Sequence, residues 1–88
     1  MKIIYFKNDQ CNVCKTVLEK AKILSNENEI ELEIVDVTEH PEVAGQMLVF
    51  TVPTIILVHE NNEIKRFARN FSIPEIEDTI ERYKKLIS

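Results

Sequence analysis

Several things are missing from this 88-residue sequence, and each absence narrows what the chain can be. No apolar run approaches the ~20 residues that a membrane-spanning helix requires; the longest, such as Thr54 to Val58, are far shorter. No charged-then-apolar signal pattern opens the chain, which runs straight into a strand-like segment and so predicts a cytoplasmic protein. No basic patch is present either. Eleven Lys and Arg against fifteen Asp and Glu leave a net charge of −4, with the acidic residues spread along the chain. That balance argues against nucleic-acid binding, which depends on clustered cations that displace counterions from phosphates. Only two cysteines occur, too few for a disulfide framework, and a cytoplasmic setting would keep exposed thiols reduced. Internal repeats and low-complexity linkers are also lacking.

What remains is a composition close to the globular average, 44% hydrophobic and 30% charged. A chain of this length can bury roughly 60–65% of its unfolded surface. Residues 1–88 are therefore expected to form one domain around one core.

The residue pattern predicts seven elements. Lys2 to Phe6 is apolar and rich in Ile and aromatics, and Lys7-Asn8-Asp9-Gln10 bounds it, as expected of a buried strand. From Asn12 to Leu24, Cys14, Val17, Leu18, Ala21 and Leu24 recur at helical spacing, and Ser25-Asn26-Glu27-Asn28 is expected to end that helix. Ile30, Leu32 and Ile34 then alternate with Glu31 and Glu33 before Val35-Asp36-Val37, a second strand. Pro41 suits a first helical turn, with Val43, Ala44, Met47 and Leu48 as a short apolar face weakened by Gly45. Thr54 to Val58 and Ile64 to Arg69, separated by Glu60-Asn61-Asn62-Glu63, read as an antiparallel hairpin. Ser72 and Glu75 form a capping box around Pro74, and Ile73, Ile76, Ile80, Tyr83 and Ile87 trace one face to the C-terminus.

The chemistry concentrates at Cys11 and Cys14. A right-handed crossover from the first strand puts the start of the first helix at the carboxyl ends of the strands, the usual place for a site in an α/β sheet. Two cysteines three apart at a helix start put one sulfur over the exposed first turn and the other a turn inward. Free first-turn N–H groups and the helix dipole favour a thiolate at the outer position, which makes Cys11 the nucleophile and Cys14 the resolving thiol. The competing reading is that Cys14 only packs the helix face. A zinc site would need more ligands, and His40 and His59, the remaining soft candidates, fit no finger spacing.

Cys11-Asn12-Val13-Cys14 after the first strand, Val35-Asp36-Val37 ending the second, Thr51-Val52-Pro53-Thr54 opening the third and the Glu60 to Glu63 turn resemble the thioredoxin-like superfamily over nearly the whole chain. The resemblance implies an α/β thioredoxin fold, β-α-β-α-β-β-α, with a four-stranded mixed sheet flanked by helices. It also implies a cis Val52–Pro53 bond beside Cys11, with the Val52 backbone free to pair with an extended substrate. The sequence departs from thioredoxins proper in having Gln10 before the pair, Asn12-Val13 inside it, and Tyr5 where they bury an acidic residue. Proton exchange at Cys14 must then use water or another group.

The expected function is reduction of protein disulfides by a Cys11/Cys14 cycle, with Val52, Pro53, Asn70 and Phe71 as substrate contacts and a thioredoxin-reductase-like or dithiol electron donor. No metal, flavin or nucleotide cofactor is implied, and the chain is expected to be a monomer. Two alternatives stand beside this reading. A glutaredoxin-like, glutathione-linked reductase shares Thr51-Val52-Pro53 but would carry a Gly-Gly-x-Asp-Asp-type segment where this chain has Arg69-Asn70-Phe71-Ser72. A non-catalytic thioredoxin-fold interaction module is the other.

Overall fold

The computed structural model describes residues 1–87. Its elements are β1 (Lys2–Lys7), α1 (Asn12–Asn28), β2 (Glu31–Asp36), α2 (Pro41–Gln46), β3 (Thr54–His59), β4 (Asn62–Ala68) and α3 (Ile73–Ile87). The strands form one mixed sheet in the order β2-β1-β3-β4, with β1 parallel to β2 and antiparallel to β3, and β3 antiparallel to β4.

The central strands are apolar throughout because both of their faces are covered. Side chains alternate across a strand, so Ile3 and Tyr5 of β1 join Ile55, Leu57 and Phe67 in a core closed by Cys14 and Leu24 of α1 and Ile76 and Ile80 of α3. Ile4 and Phe6 point the other way, into a smaller core with Val35, Ala44, Val49 and Ile56. α1 and α3 thus cover one face, and α2 covers the other with Ala44 as its one fully buried residue.

Three expectations need correction. α1 does not stop at Leu24 but continues to Asn28. Ser and Asn cost a helix only a few tenths of a kcal/mol each, and local bonds offset this: Asn28 Nδ2 donates to the Leu24 carbonyl at 2.9 Å, and the Ile30 amide donates to the Ser25 carbonyl at 3.0 Å. Glu29 ends the helix in the left-handed region at φ 54°, and the Lys84 ammonium of α3 donates to the Asn28 carbonyl.

The hairpin is tighter than Glu60 to Glu63. His59 pairs with Asn62, leaving Glu60 and Asn61 as the turn, at φ 51° and 66°. A two-residue turn of this kind requires positive φ at both positions, which Asn accepts better than most residues. The length saved reappears as a bulge: the register passes from Leu57 opposite Lys65 to Val58 opposite Glu63, with Ile64 the extra residue.

Leu48 leaves the predicted apolar face of α2. The helix ends at Gln46, and Leu48 stands 63% exposed at φ 56°. The capping box at α3 forms as expected, with the Glu75 amide donating to Ser72 Oγ and the Ser72 amide donating to Glu75 Oε1, both at 3.3 Å.

Candidate active site

The turn that carries the cysteines is organised by Asn8, whose Oδ1 accepts the Gln10 amide at 3.1 Å and whose carbonyl accepts the Cys11 amide at 3.4 Å. Cys11 is the N-cap of α1, in extended backbone, and makes no side-chain capping bond. The first turn of α1 holds no acidic side chain, so nothing there competes for its free N–H groups. Cys11 and Cys14 are joined by a disulfide, with Cα atoms 5.3 Å apart. Their exposure differs as the helix geometry dictates: Cys11 is half-buried, and Cys14 is 2% exposed inside the larger core.

Beneath the pair, the buried Tyr5 hydroxyl donates to the Cys14 carbonyl at 2.7 Å. Burial pushes this phenol up to about 12, against a smaller opposing effect of the Lys7 charge. Tyr5 is therefore a neutral donor across the working pH range and offers Cys14 no base. Next to it, Lys7 Nζ donates to Asp9 at 3.0 Å and Asp36 at 3.2 Å, and these bonds, with Asp9 first, raise its pKa. Asp36 accepts the Thr38 amide at 2.8 Å, which is the main reason its carboxyl is held below the usual range; burial opposes this, and Lys7 adds to it.

The Val52–Pro53 peptide is cis. Pro53 is buried and Val52 half-buried, and the buried Thr54 hydroxyl donates to the Thr51 carbonyl at 2.7 Å, closing the turn. Because Phe6 pairs with Thr54, this turn meets the carboxyl end of β1, where Cys11 follows. Ala68 also pairs with Thr54, so Asn70 and Phe71 come to the same edge of the sheet. Cys11, Val52 and Phe71 all pack on the larger core. Phe71 meets Phe67 edge to face, with ring centroids 6.2 Å apart, whereas Asn70 is exposed and lies outside the cavities described next. His40 and His59 fall at opposite ends of the sheet, and among the described residues no group of three or more His, Cys, Asp and Glu could hold a metal ion.

Two cavities flank Asn8. One, of about 160 Å³, is lined by Asn8, Val37, Val49, Phe50, Thr51 and Val52; the other, of about 70 Å³, brings Lys7, Asp9, Lys15 and Leu18 to Cys14. Phe50, 83% exposed at the first cavity, and Val37 in its wall are missing from the sequence-based site. The available signal for Phe50 was an aromatic two residues before Val52, in a segment with no strand or helix period to bury it.

Comparison with known proteins places this geometry. The model of the family described as Thioredoxin matches residues 1–82. The chain belongs to the thioredoxin family. The chain is 53% identical to thioredoxin 1 from Thermosipho africanus TCF52B, whose solved structure superposes with a TM-score of 0.95 over 98% of this chain and 97% of that one. It is also 32% identical to two Bacillus subtilis proteins. One is the thioredoxin-like protein YdfQ, with 94% of this chain and 75% of that protein aligned. The other is the SPbeta prophage-derived thioredoxin-like protein YosR, with 96% and 100% aligned. With its cysteine pair at the helix start, this member of the family is a thiol-disulfide oxidoreductase.

Proposed function

We propose that this thioredoxin reduces disulfides in protein substrates, with Cys11 as nucleophile and Cys14 as resolving thiol. The observation that carries the reading is the unequal exposure of the two cysteines on the first turn of α1. The Cys11 thiolate attacks one sulfur of the substrate disulfide, forming a mixed disulfide and expelling the other sulfur as a thiolate. Cys14 then gives up its proton to solvent and attacks the Cys11 sulfur. The Cys11–Cys14 disulfide forms, the second substrate thiolate leaves, and two electrons have passed to the substrate. A thioredoxin-reductase-like enzyme or another dithiol donor returns two electrons to the pair.

The substrate segment runs extended past Val52 and Pro53, pairing with the Val52 backbone as an added strand. Phe50, Asn70 and Phe71 flank it, and the cavity behind Phe50 takes an apolar side chain of that segment. Tyr5 leaves proton exchange at Cys14 to water, and the cavity lined by Lys7, Asp9 and Lys15 supplies the route. The protein works as a monomer in the cytoplasm.

Single-cysteine variants test the assignment. The Cys11 thiol of Cys14→Ser should titrate below the free value of ~8.5, and this variant should accumulate a mixed disulfide with disulfide-containing protein substrates, whereas Cys11→Ser should form no adduct. Alkylation rates across pH with adduct trapping read both. Equal reactivity at the two positions, or trapping through Cys14 alone, would overturn these roles. Efficient turnover driven by glutathione and glutathione reductase would point to a glutathione-linked enzyme instead.

A further inference from the structure

The loop that carries Phe50 to Pro53 leaves a short helix through a left-handed residue. α2 spans six residues, with Ala44 as its buried member, and Leu48, just beyond it, adopts the left-handed region at φ 56°. A γ-branched residue there is unfavourable by roughly 1–2 kcal/mol; the Leu48 amide donates to the Gly45 carbonyl at 3.2 Å and the Val49 amide to the Ala44 carbonyl at 2.8 Å, closing the turn locally, and a contact from outside the loop would fix it further. Arg66 of β4 is placed to do so. Alternation turns Phe67 into the larger core, and so turns Arg66 to the α2 face of the sheet. There its Nη2 donates to the Met47 carbonyl at 2.9 Å and its Nη1 to the Leu48 carbonyl at 3.0 Å.

The guanidinium is itself fixed. Nε donates to Glu63 Oε2 at 2.8 Å and Nη2 to Glu63 Oε1 at 2.7 Å, a bidentate pair. Residues three apart on a regular strand point to opposite faces. The extra residue Ile64 in the bulge removes that obstacle and brings Glu63 to the same side as Arg66. Four residues separate Leu48 from Pro53, so the clamp acts at the root of the loop that faces Cys11.

We propose that Arg66, held by Glu63, is a positioning residue for the substrate loop, gripping the Met47 and Leu48 carbonyls so that Phe50 to Pro53 stand ready to receive an extended disulfide-bearing segment. This rests on reading that loop as the substrate groove. Arg66 touches neither sulfur, so its removal should affect protein substrates and spare the cysteine chemistry.

The test compares wild type with Arg66→Met, Arg66→Lys and Glu63→Gln, all full length, using insulin as the protein disulfide and a small aromatic disulfide as the groove-independent probe. In Arg66→Met, KM for insulin should rise about 5- to 10-fold, the loss of charge-assisted bonds in a half-exposed setting. The turnover number, the reduction potential of the pair and the rate with the small disulfide should stay at wild-type values. Backbone amides from Val49 to Val52 should exchange faster, while those of β1 and α3 keep their protection. Arg66→Lys, which keeps the charge but loses the fork, should recover part of the KM. Glu63→Gln should shift KM in the same direction by about 2-fold, and it serves as the decisive variant should Arg66→Met fail to fold. An unchanged KM in folded Arg66→Met, or in Glu63→Gln should Arg66→Met not fold, overturns the proposal. So does a loss of potential and of small-disulfide reactivity accompanied by faster exchange across the whole chain, which would make Arg66 a general structural residue. Failure of the wild-type pair to cycle with either disulfide would count against the redox reading itself, and it is seen before any variant is made.

Discussion

Replacing Tyr5 with Phe removes one oxygen from the centre of the molecule, and the structure fixes what that costs. The hydroxyl makes a single bond of 2.7 Å, to the Cys14 carbonyl, and the ring is wholly buried. A helical carbonyl at that position also lies within reach of the amide one turn on, so Phe leaves it with a partner rather than stranded. The loss should therefore be about 1 kcal/mol, the net worth of an ordinary buried hydrogen bond, rather than the ~3 kcal/mol of an orphaned acceptor. For a chain of this size that corresponds to a melting temperature lower by about 4–8 °C.

The pH dependence provides an internal check. Burial raises the Tyr5 pKa from 10.0 to about 12. Between those values the unfolded chain releases the phenolic proton and the folded chain keeps it, so stability from this group is complete below pH 10 and is lost as pH rises toward 12. Phe has no proton to lose. The stability gap between wild type and Tyr5→Phe should consequently narrow over that interval, as read by thermal or guanidinium denaturation at a series of pH values. An unchanged melting temperature at neutral pH, or a gap that widens with alkali, would refute the reasoning.

Other groups carry their own expectations. Asp36→Asn keeps an acceptor for the Thr38 amide but loses the charge facing Lys7. Because the folded Asp36 pKa is lowered, its contribution is present above the unfolded value of 3.8 and disappears as pH falls through the folded one, so the variant should show a flatter acid limb in denaturation midpoints. Ser72→Ala removes the hydroxyl arm of the α3 capping box, with its bonds to the Glu75 amide and carboxylate, while keeping the Ser72 amide arm, and should cost about 1 kcal/mol in chemical denaturation. Glu60→Asn combined with Asn61→Gly suits the left-handed turn and should raise stability by about 0.5–1 kcal/mol, seen as a higher denaturant midpoint at unchanged slope.

Much of the molecule is legible in the sequence because its signals are local. The uninterrupted apolar runs of β1 and β3 arise from burial on both faces, and the Ile73, Ile76, Ile80 and Tyr83 spacing of α3 follows from packing on one. The cysteine pair, the Thr51 to Thr54 segment and the Ser72–Glu75 box are each complete within four residues. What stayed hidden depends on contacts across the chain. Ser25 to Asn28 look like a helix breaker until the Lys84 ammonium is seen reaching the Asn28 carbonyl. The bulge at Ile64 is a property of two strands together, and no reading of β4 alone reveals it.

The stretch from Leu48 to Pro53 shows how such distant contacts add to a local code. A chain that must turn through the left-handed region usually marks the place with glycine, which pays no steric penalty there. This sequence has one glycine, Gly45, and the turn falls three residues later on Leu48. The Leu48 and Val49 amides close that turn locally, and the Arg66 guanidinium, eighteen positions away in sequence from Leu48, adds a hold on the Leu48 carbonyl from the neighbouring sheet. The two solutions differ in consequence. Glycine would permit the conformation without enforcing it and would leave the loop free to sample others. A left-handed Leu48 gripped through its own carbonyl is held in one conformation for as long as the Glu63–Arg66 pair stays in place. In the substrate groove proposed above that rigidity is a gain, because ordering the loop on binding would cost about 1–2 kcal/mol per residue.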